Sequence, residues 1–266
     1  MRVSLTPDPQ RGVFETMLVL DGRPVELDAH LERLADSLMV LYGEDLPSEA
    51  ANQVREGAGD LEQGKLRIAI TPSLDGARLA MRVVTARVDP AAVFPGPARG
   101  IVLHSFSLEG GLGEHKWADR RLLERAESGL APGELALLVD ADGAALEASR
   151  ASLFAVGDDW LATPPADGRI LPGIARRRTI ETARDAGIEV REESLSLASL
   201  GDYEVILAGS VRGIEPVLAL DDVALRPPGA LSARLVAGLR RRWLPAAQAE
   251  SAAVRAGGRR VGPPAR

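Results

Sequence analysis

The chain of 266 residues contains no cysteine, which excludes disulfides, thiolate nucleophiles and cysteine-ligated metals. Its three histidines, His30, His104 and His115, are scattered, so no metal site is expected. Aromatic residues make up only 3% of the chain, which leaves the core to aliphatic side chains. No apolar run approaches the length of a membrane span, and the first residues do not read as a signal peptide. The expected setting is therefore the cytoplasm, with no membrane partner. A net charge of -6 argues against general nucleic-acid binding.

Lysine is also scarce: Lys65 and Lys116 stand against thirty arginines. Arginine keeps its proton near neutral pH, whereas lysine can lose it and attack a carbonyl. Lys116 lies in Gly-Leu-Gly-Glu-His-Lys-Trp-Ala-Asp-Arg, between a glycine-rich turn and an expected helix. That placement suits a Schiff-base nucleophile. From the count alone, an ordinary surface lysine is the simpler reading.

What is present is ordinary for a globular protein. Hydrophobic residues make up 45% and charged residues 26%, in a length that allows two modest domains or one large one. The pattern predicts a strand over 13–20, a turn at Asp21-Gly22 and a returning strand over 23–27. Asp28 is expected to cap a helix whose buried face is Leu31, Leu34, Leu38 and Leu41, closed by Gly43. A second helix is expected from Pro47 to Gly57, then paired strands over 65–71 and 78–88 around Asp75-Gly76. Residues 89–100 hold three prolines and two glycines and read as a linker between domains at 1–88 and 101–245. Further strands are expected over 101–106, 135–139, 144–147, 153–156, 160–162, 188–191, 204–208 and 216–220. Helices are expected over 116–129, 173–186 and 230–243, and a disordered tail over 246–266. The expected class is α+β, with two α/β domains.

Several stretches suit an anion. Leu171-Pro172-Gly173-Ile174-Ala175-Arg176 opens a helix, whose free N–H groups and dipole attract phosphate. Arg176, Arg177 and Arg178 oppose that dipole unless something negative is near, or else point to solvent. Ala208-Gly209-Ser210-Val211-Arg212-Gly213 offers a hydroxyl, backbone donors and a guanidinium, and also reads as a plain polar loop. His30 and Arg33 lie one helical turn apart beside the leucine stripe, as ligands or as structural ion-pair partners. Glu147 ends a strand among small and apolar residues. It suits the protonated ring nitrogen of a pyridine cofactor, or is a solvated strand end.

Further segments join these in order: Gly-Val-Phe-Glu-Thr at 12–16, His-Leu-Glu-Arg-Leu at 30–34, and Lys116 with Asp119 and Arg120. Then come Leu-Val-Asp-Ala-Asp-Gly-Ala-Ala-Leu-Glu-Ala-Ser at 138–149, Leu-Phe-Ala-Val at 153–156 and Thr-Pro-Pro at 163–165. Leu-Pro-Gly-Ile-Ala-Arg at 171–176 and Gly-Ser-Val-Arg-Gly-Ile-Glu-Pro-Val at 209–217 complete the set. Each is weak alone, but the ordered set is specific. It resembles the class IV pyridoxal-phosphate (PLP) aminotransferase and lyase family, also called fold type IV.

The resemblance implies that Lys116 forms the Schiff base with PLP and shuttles the proton, and that Glu147 pairs with the pyridine nitrogen. It implies that Arg33, Ile174, Ala175 and Ser210 hold the phosphate and that Leu171 packs on the ring. His30 then supports its loop, and Lys65 has no matched role. PLP would lie between two domains of a homodimer, with the partner subunit contributing a pocket wall. Three positions depart from the family pattern. Ala175 stands where a Thr or Ser is usual, which removes one phosphate hydroxyl, and Ser152 stands where Asn is frequent. A short Thr-Pro-Asp-Pro-Gln-Arg lead replaces the usual first strand.

Members of the family include transaminases for branched-chain amino acids, D-amino acids and amines, and 4-amino-4-deoxychorismate lyase. Ser210-Val-Arg-Gly-Ile-Glu-Pro-Val and the Lys116-x-x-x-Arg120 spacing resemble lyase-like members. Arg121 stands where branched-chain transaminases commonly carry tyrosine. A lyase substrate with two carboxylates suits an arginine-rich pocket, with Arg212 as the first contact and Arg120 or Arg121 as substitutes. The expected activity is the lyase, acting beside aminodeoxychorismate synthase. A transaminase, or a PLP-binding homologue without turnover, is the alternative.

Overall fold

The computed structural model describes residues 6–73 and 79–244. The expected turn at Asp75-Gly76 and the tail over 246–266 lie outside the described residues. The chain opens with β1 (Val13–Leu20), β2 (Arg23–Pro24), α1 (Leu27–Tyr42) and α2 (Ala50–Ala58), followed by β3 (Gln63–Pro72) and β4 (Leu79–Arg87). The four strands form one antiparallel sheet in the order β2-β1-β3-β4. Alternation along β3 buries Leu66, Ile68 and Ile70 and leaves Lys65 and Arg67 exposed on the other face. The buried face packs against Leu34 and Leu38 of α1 and Val54 of α2. Each such aliphatic side chain contributes roughly 1.5–3 kcal/mol when fully buried.

The leucine stripe and the glycine stop of α1 stand as expected. Gly43 has φ +68°, and its N–H donates to Met39 O at 3.0 Å. Asp28 is not the cap, however. It sits in the first turn, and Glu26 occupies the cap position in a left-handed conformation. There the Glu26 carboxylate meets Arg178 at 2.6 Å and Arg242 at 3.3 Å, joining the start of α1 to distant helices. The returning strand is correspondingly short, because the chain enters α1 at Leu27. The second helix starts later than expected, after Ala50 N donates to Pro47 O in a turn.

Residues 89–100 carry the chain to the second sheet through two short 3-10 turns, Pro90–Ala92 and Pro97–Arg99. This segment is packed, with Val93 and Phe94 buried. Beyond it come β5 (Ile101–Ser107), α3 (Arg121–Ala126), β6 (Leu135–Val139), β7 (Ala144–Ala148), β8 (Ala151–Val156) and β9 (Trp160–Thr163). Then follow α4 (Ile174–Asp185), β10 (Glu189–Glu192), β11 (Leu195–Ser196), β12 (Glu204–Gly209), β13 (Gly213–Leu220), β14 (Val223–Ala224) and α5 (Ala230–Trp243). The order β10-β9-β8-β12-β13-β5-β6-β7-β11 has one additional pairing, β7 with β8. Six strands, β8-β12-β13-β5-β6-β7, therefore close into a ring. Alternation divides their side chains into two sets. Leu103, Leu137, Leu153 and Leu207 form one core, while Phe154 and Ile206 pack with α4 and α5 in another.

The helix expected over 116–129 is shorter, because only α3 is helical. Residues ahead of it are drawn instead into pairing with β1. Phe14 N donates to Lys116 O at 3.0 Å, Ala118 N donates to Gly12 O at 2.9 Å, and Val13 bridges Trp117. Leu18 N likewise donates to Ser210 O at 3.2 Å. The two sheets thus meet along the backbone of residues that the sequence singled out.

Candidate active site

At this junction lies a cavity of about 380 Å³, lined by Phe14 and Arg33 from the first sheet and its helix and by Lys116, Glu147 and Ser210 from the second part of the chain. The Lys116 side chain makes no hydrogen bond or ion pair among the described residues. Its Nζ lies 5.3 Å from the centroid of the Phe14 ring. Burial pushes its pKa down to about 8, helped by Arg33 and Arg120 and opposed by Glu15 and Glu147. About a tenth of the amine is then neutral at pH 7.

Glu147 is buried on β7. Its Oε1 accepts from Leu171 N at 3.2 Å, and its Oε2 has no protein partner among the described residues. Burial pushes its pKa up to about 7, against the Leu171 amide and the cations of Lys116, Arg33 and Arg120. The carboxyl therefore keeps a proton available near neutral pH.

Leu171 lines the cavity just before α4, and Ile174 and Ala175 open that helix with their side chains buried. The amides of Ile174 and Ala175 have no partner among the described residues, as the first turn of a helix dictates. Gly173 precedes them, and a Cβ there would lie 2.5 Å from Ser152 Oγ. The serine at 152 thus packs under the turn, where a glycine is required. Ala175 contributes only a methyl group to the core. Ser210 lines the same cavity from the loop after β12.

Arg33 also lines the cavity, but its guanidinium is already largely engaged. Nε and Nη2 donate to Glu15 at 2.7 Å each, and Nη1 donates to Pro172 O at 2.8 Å. Two of its five N–H groups remain for another anion. His30 supports this arrangement through Nδ1, 2.7 Å from Glu15 Oε2. Arg176, Arg177 and Arg178 each face a carboxylate: Glu192 at 2.9 Å, Glu32 at 4.0 Å and Glu26 at 2.6 Å. Those neighbours explain how three arginines can stand at a helix start.

The sequence profile described as amino-transferase class IV matches residues 12–220, most of the chain. The chain belongs to this family. Class IV proteins are PLP-dependent enzymes, lyases or aminotransferases. The bifunctional aminodeoxychorismate lyase / D-amino acid transaminase of Mycobacterium tuberculosis (strain ATCC 25618 / H37Rv) is 29% identical over 224 residues, 73% of this chain and 76% of that protein. The branched-chain-amino-acid aminotransferase of Escherichia coli (strain K12) is 40% identical over 89 residues, but these are 33% of this chain and 28% of that protein. The crystal structure of 4-amino-4-deoxychorismate lyase from Pseudomonas aeruginosa has a TM-score of 0.73 at 25% identity, covering 91% of this chain and 95% of that one. The fold is type IV.

The class IV cavity in this chain fits PLP by its donor set. An uncommitted amine, a buried carboxyl with one open oxygen, and a helix start beside a hydroxyl match the aldehyde, ring nitrogen and phosphate of the cofactor. Of the arginines expected to meet substrate, Arg212 lines the cavity and pairs with Glu215. Arg120 lines it too and donates to Ser149 O at 2.8 Å. Arg121 does not line it. Its guanidinium is turned to Asp119 at 2.6 Å and is more than half exposed, which removes it as a substrate contact. Phe14, Lys65, Arg67 and Arg150 line the cavity without having been singled out for it. For Lys65 and Arg67 the signal was available: both stand on the face of β3 opposite its buried residues.

Proposed function

We propose that this class IV enzyme is a 4-amino-4-deoxychorismate lyase, forming 4-aminobenzoate and pyruvate. The observation that carries the reading is the cationic lining of the cavity. Lys65, Arg67, Arg120, Arg150 and Arg212 join Arg33 and Lys116 around it. Its acidic residues are fewer, and Asp119 and Glu215 are already paired with arginines. Aminodeoxychorismate carries two carboxylates, and guanidinium groups bind carboxylates through paired hydrogen bonds. The likeness to the Mycobacterium and Pseudomonas proteins supports the same reading.

When bound, PLP supplies an electron sink for the bond broken beside the substrate nitrogen. Lys116 would hold the cofactor and, as a free amine, would take the proton from the amine-bearing ring carbon; as the ring aromatises, the neighbouring C–O bond breaks and the departing enolpyruvyl group gains a proton to leave as pyruvate. Glu147 keeps a proton at the ring nitrogen. The amides of Ile174 and Ala175, the Ser210 hydroxyl and the remaining N–H groups of Arg33 hold the phosphate, and Leu171 packs on the ring. Arg212, with Arg120, orients the substrate carboxylates. The same reading makes the protein a cytoplasmic homodimer with domains at 1–88 and 101–245. The partner subunit completes the cavity wall, and aminodeoxychorismate synthase supplies the substrate.

A PLP-dependent transaminase is the second reading, favoured by the 40% identical stretch of the branched-chain aminotransferase and by the second activity named for the Mycobacterium protein. Both reactions begin with proton removal by the lysine and differ in what leaves next. The test is to load the protein with PLP, supply enzymatically made aminodeoxychorismate without an oxo-acid acceptor, and follow both products. Equal amounts of 4-aminobenzoate and pyruvate over many turnovers are expected. No product from protein that carries the bound-cofactor absorbance would sink the lyase assignment, and amino donors with 2-oxo acids would then test the transaminase.

A further inference from the structure

Glu15 is a charged group beside the cavity that the reaction scheme does not use. It lies on β1 with 1% of its surface exposed. Alternation along the strand turns it away from Phe14 and Thr16 and toward α1. Arg33 donates to both its oxygens, Nε to Oε1 and Nη2 to Oε2, and His30 shares Oε2. The third contact of that guanidinium is Pro172 O, two residues before the start of α4. Burial raises the carboxylate's pKa, but Arg33 and the His30 hydrogen bond outweigh it and hold the group at about 2. Glu15 is therefore a permanent negative charge beside a permanent positive one.

We propose that Glu15 is a positioning residue for the reaction: it pins Arg33 between α1 and the start of α4 and offsets the guanidinium charge that Lys116 experiences. The inference rests on Lys116 being the reacting amine, as proposed above. The groups that bear on this amine are Arg33 from α1, Glu15 and the Phe14 ring from β1, Arg120 ahead of α3, and Glu147 from β7. Burial pushes the pKa of His30 on α1 down, against the hydrogen bond and charge of Glu15. Lys65 and Arg67 of β3 line the same cavity. Arg33 makes the Lys116 proton easier to lose, and Glu15 makes it harder. Neutralising Glu15 removes the second effect, frees Arg33 from its paired hydrogen bonds, and lets Lys116 lose its proton at lower pH. A purely structural Glu15 would alter stability and leave the Lys116 titration in place.

The chain has only two lysines, so isotope labelling of lysine side chains in the full-length, cofactor-free protein yields two side-chain signals to follow by NMR against pH. Lys65→Arg assigns them by removing one signal. In Glu15→Gln the Lys116 midpoint is expected to move to lower pH. In Arg33→Gln it is expected to move to higher pH. A Lys116 midpoint that is unchanged or raised in folded Glu15→Gln overturns the proposal. Should that variant not fold, an Arg33→Gln midpoint that fails to rise overturns it as well. Continued turnover in Lys116→Ala would instead remove the active-site assignment, a separate result from either titration.

Discussion

Leu171 and Glu147 are joined directly: the Leu171 amide donates to Glu147 Oε1 across 3.2 Å. The loop that opens α4 is thereby tied to strand β7. The contact proposed for the cofactor ring and the acid proposed for its nitrogen move as one unit.

Replacing Lys116 by alanine is expected to abolish the absorbance of covalently held PLP and all turnover. Lys65→Ala is expected to retain the absorbance. Spectra of the two PLP-loaded variants, with product assays, check this. Normal turnover in Lys116→Ala would refute the site.

Glu147 ties stability to pH in the cofactor-free protein. Its pKa is about 7 in the fold and 4.5 ordinarily, so between those values the unfolded chain ionises while the folded protein keeps its proton. Stability from this group is therefore fully present below pH 4.5 and lost as pH rises toward 7, by up to about 3 kcal/mol. Urea unfolding of the wild type at pH 5 and pH 7 should show the decline. Glu147→Gln should lack that part of it, and its turnover should fall at least about 100-fold. Parallel pH dependences would contradict the assignment.

Gly173→Ala places a Cβ 2.5 Å from Ser152 Oγ and 3.2 Å from Arg176 Cβ. The helix start has to shift, at a cost of about 1–3 kcal/mol in stability and with weaker PLP binding. Combining it with Ser152→Ala should recover part of both losses. Thermal melts and equilibrium dialysis with PLP measure them, and an unaffected single variant would argue against the packing seen here.

Ala175→Ser tests the missing hydroxyl at the phosphate end. One added hydrogen bond contributes about 1 kcal/mol, so the PLP dissociation constant should fall roughly fivefold. Affinity equal to or weaker than that of the wild type would show that position 175 does not reach the phosphate.

Regular patterns made much of the fold legible. Strand-like runs beside Asp-Gly turns located β1 and β3, and the leucine spacing with Gly43 located α1 and its stop. The errors arose where distant partners outcompete local preference. The helical periodicity of Leu122, Leu123 and Ala126 is real, but residues 116–120 give up helix for hydrogen bonds of Lys116 and Ala118 to Phe14 and Gly12, far away in the chain. Glu26 displaces Asp28 from the cap position, with its side chain held by Arg178 and Arg242. At the candidate site the competing partner was a near neighbour in sequence. Lys116, Glu147, Leu171 and Ser210 converge on one cavity, whereas Arg121 is claimed by Asp119 two residues away. The partnership of Glu15 with Arg33 was hidden because each residue fits its own element equally well without the other.

The pairing of Phe14 with Lys116 and of Ala118 with Gly12 makes the peptide groups around the nucleophile part of the seam between the sheets. Hinge opening along that seam would drag the amine with it. Access to the cavity that leaves these hydrogen bonds intact would keep the amine in place beside the Phe14 ring.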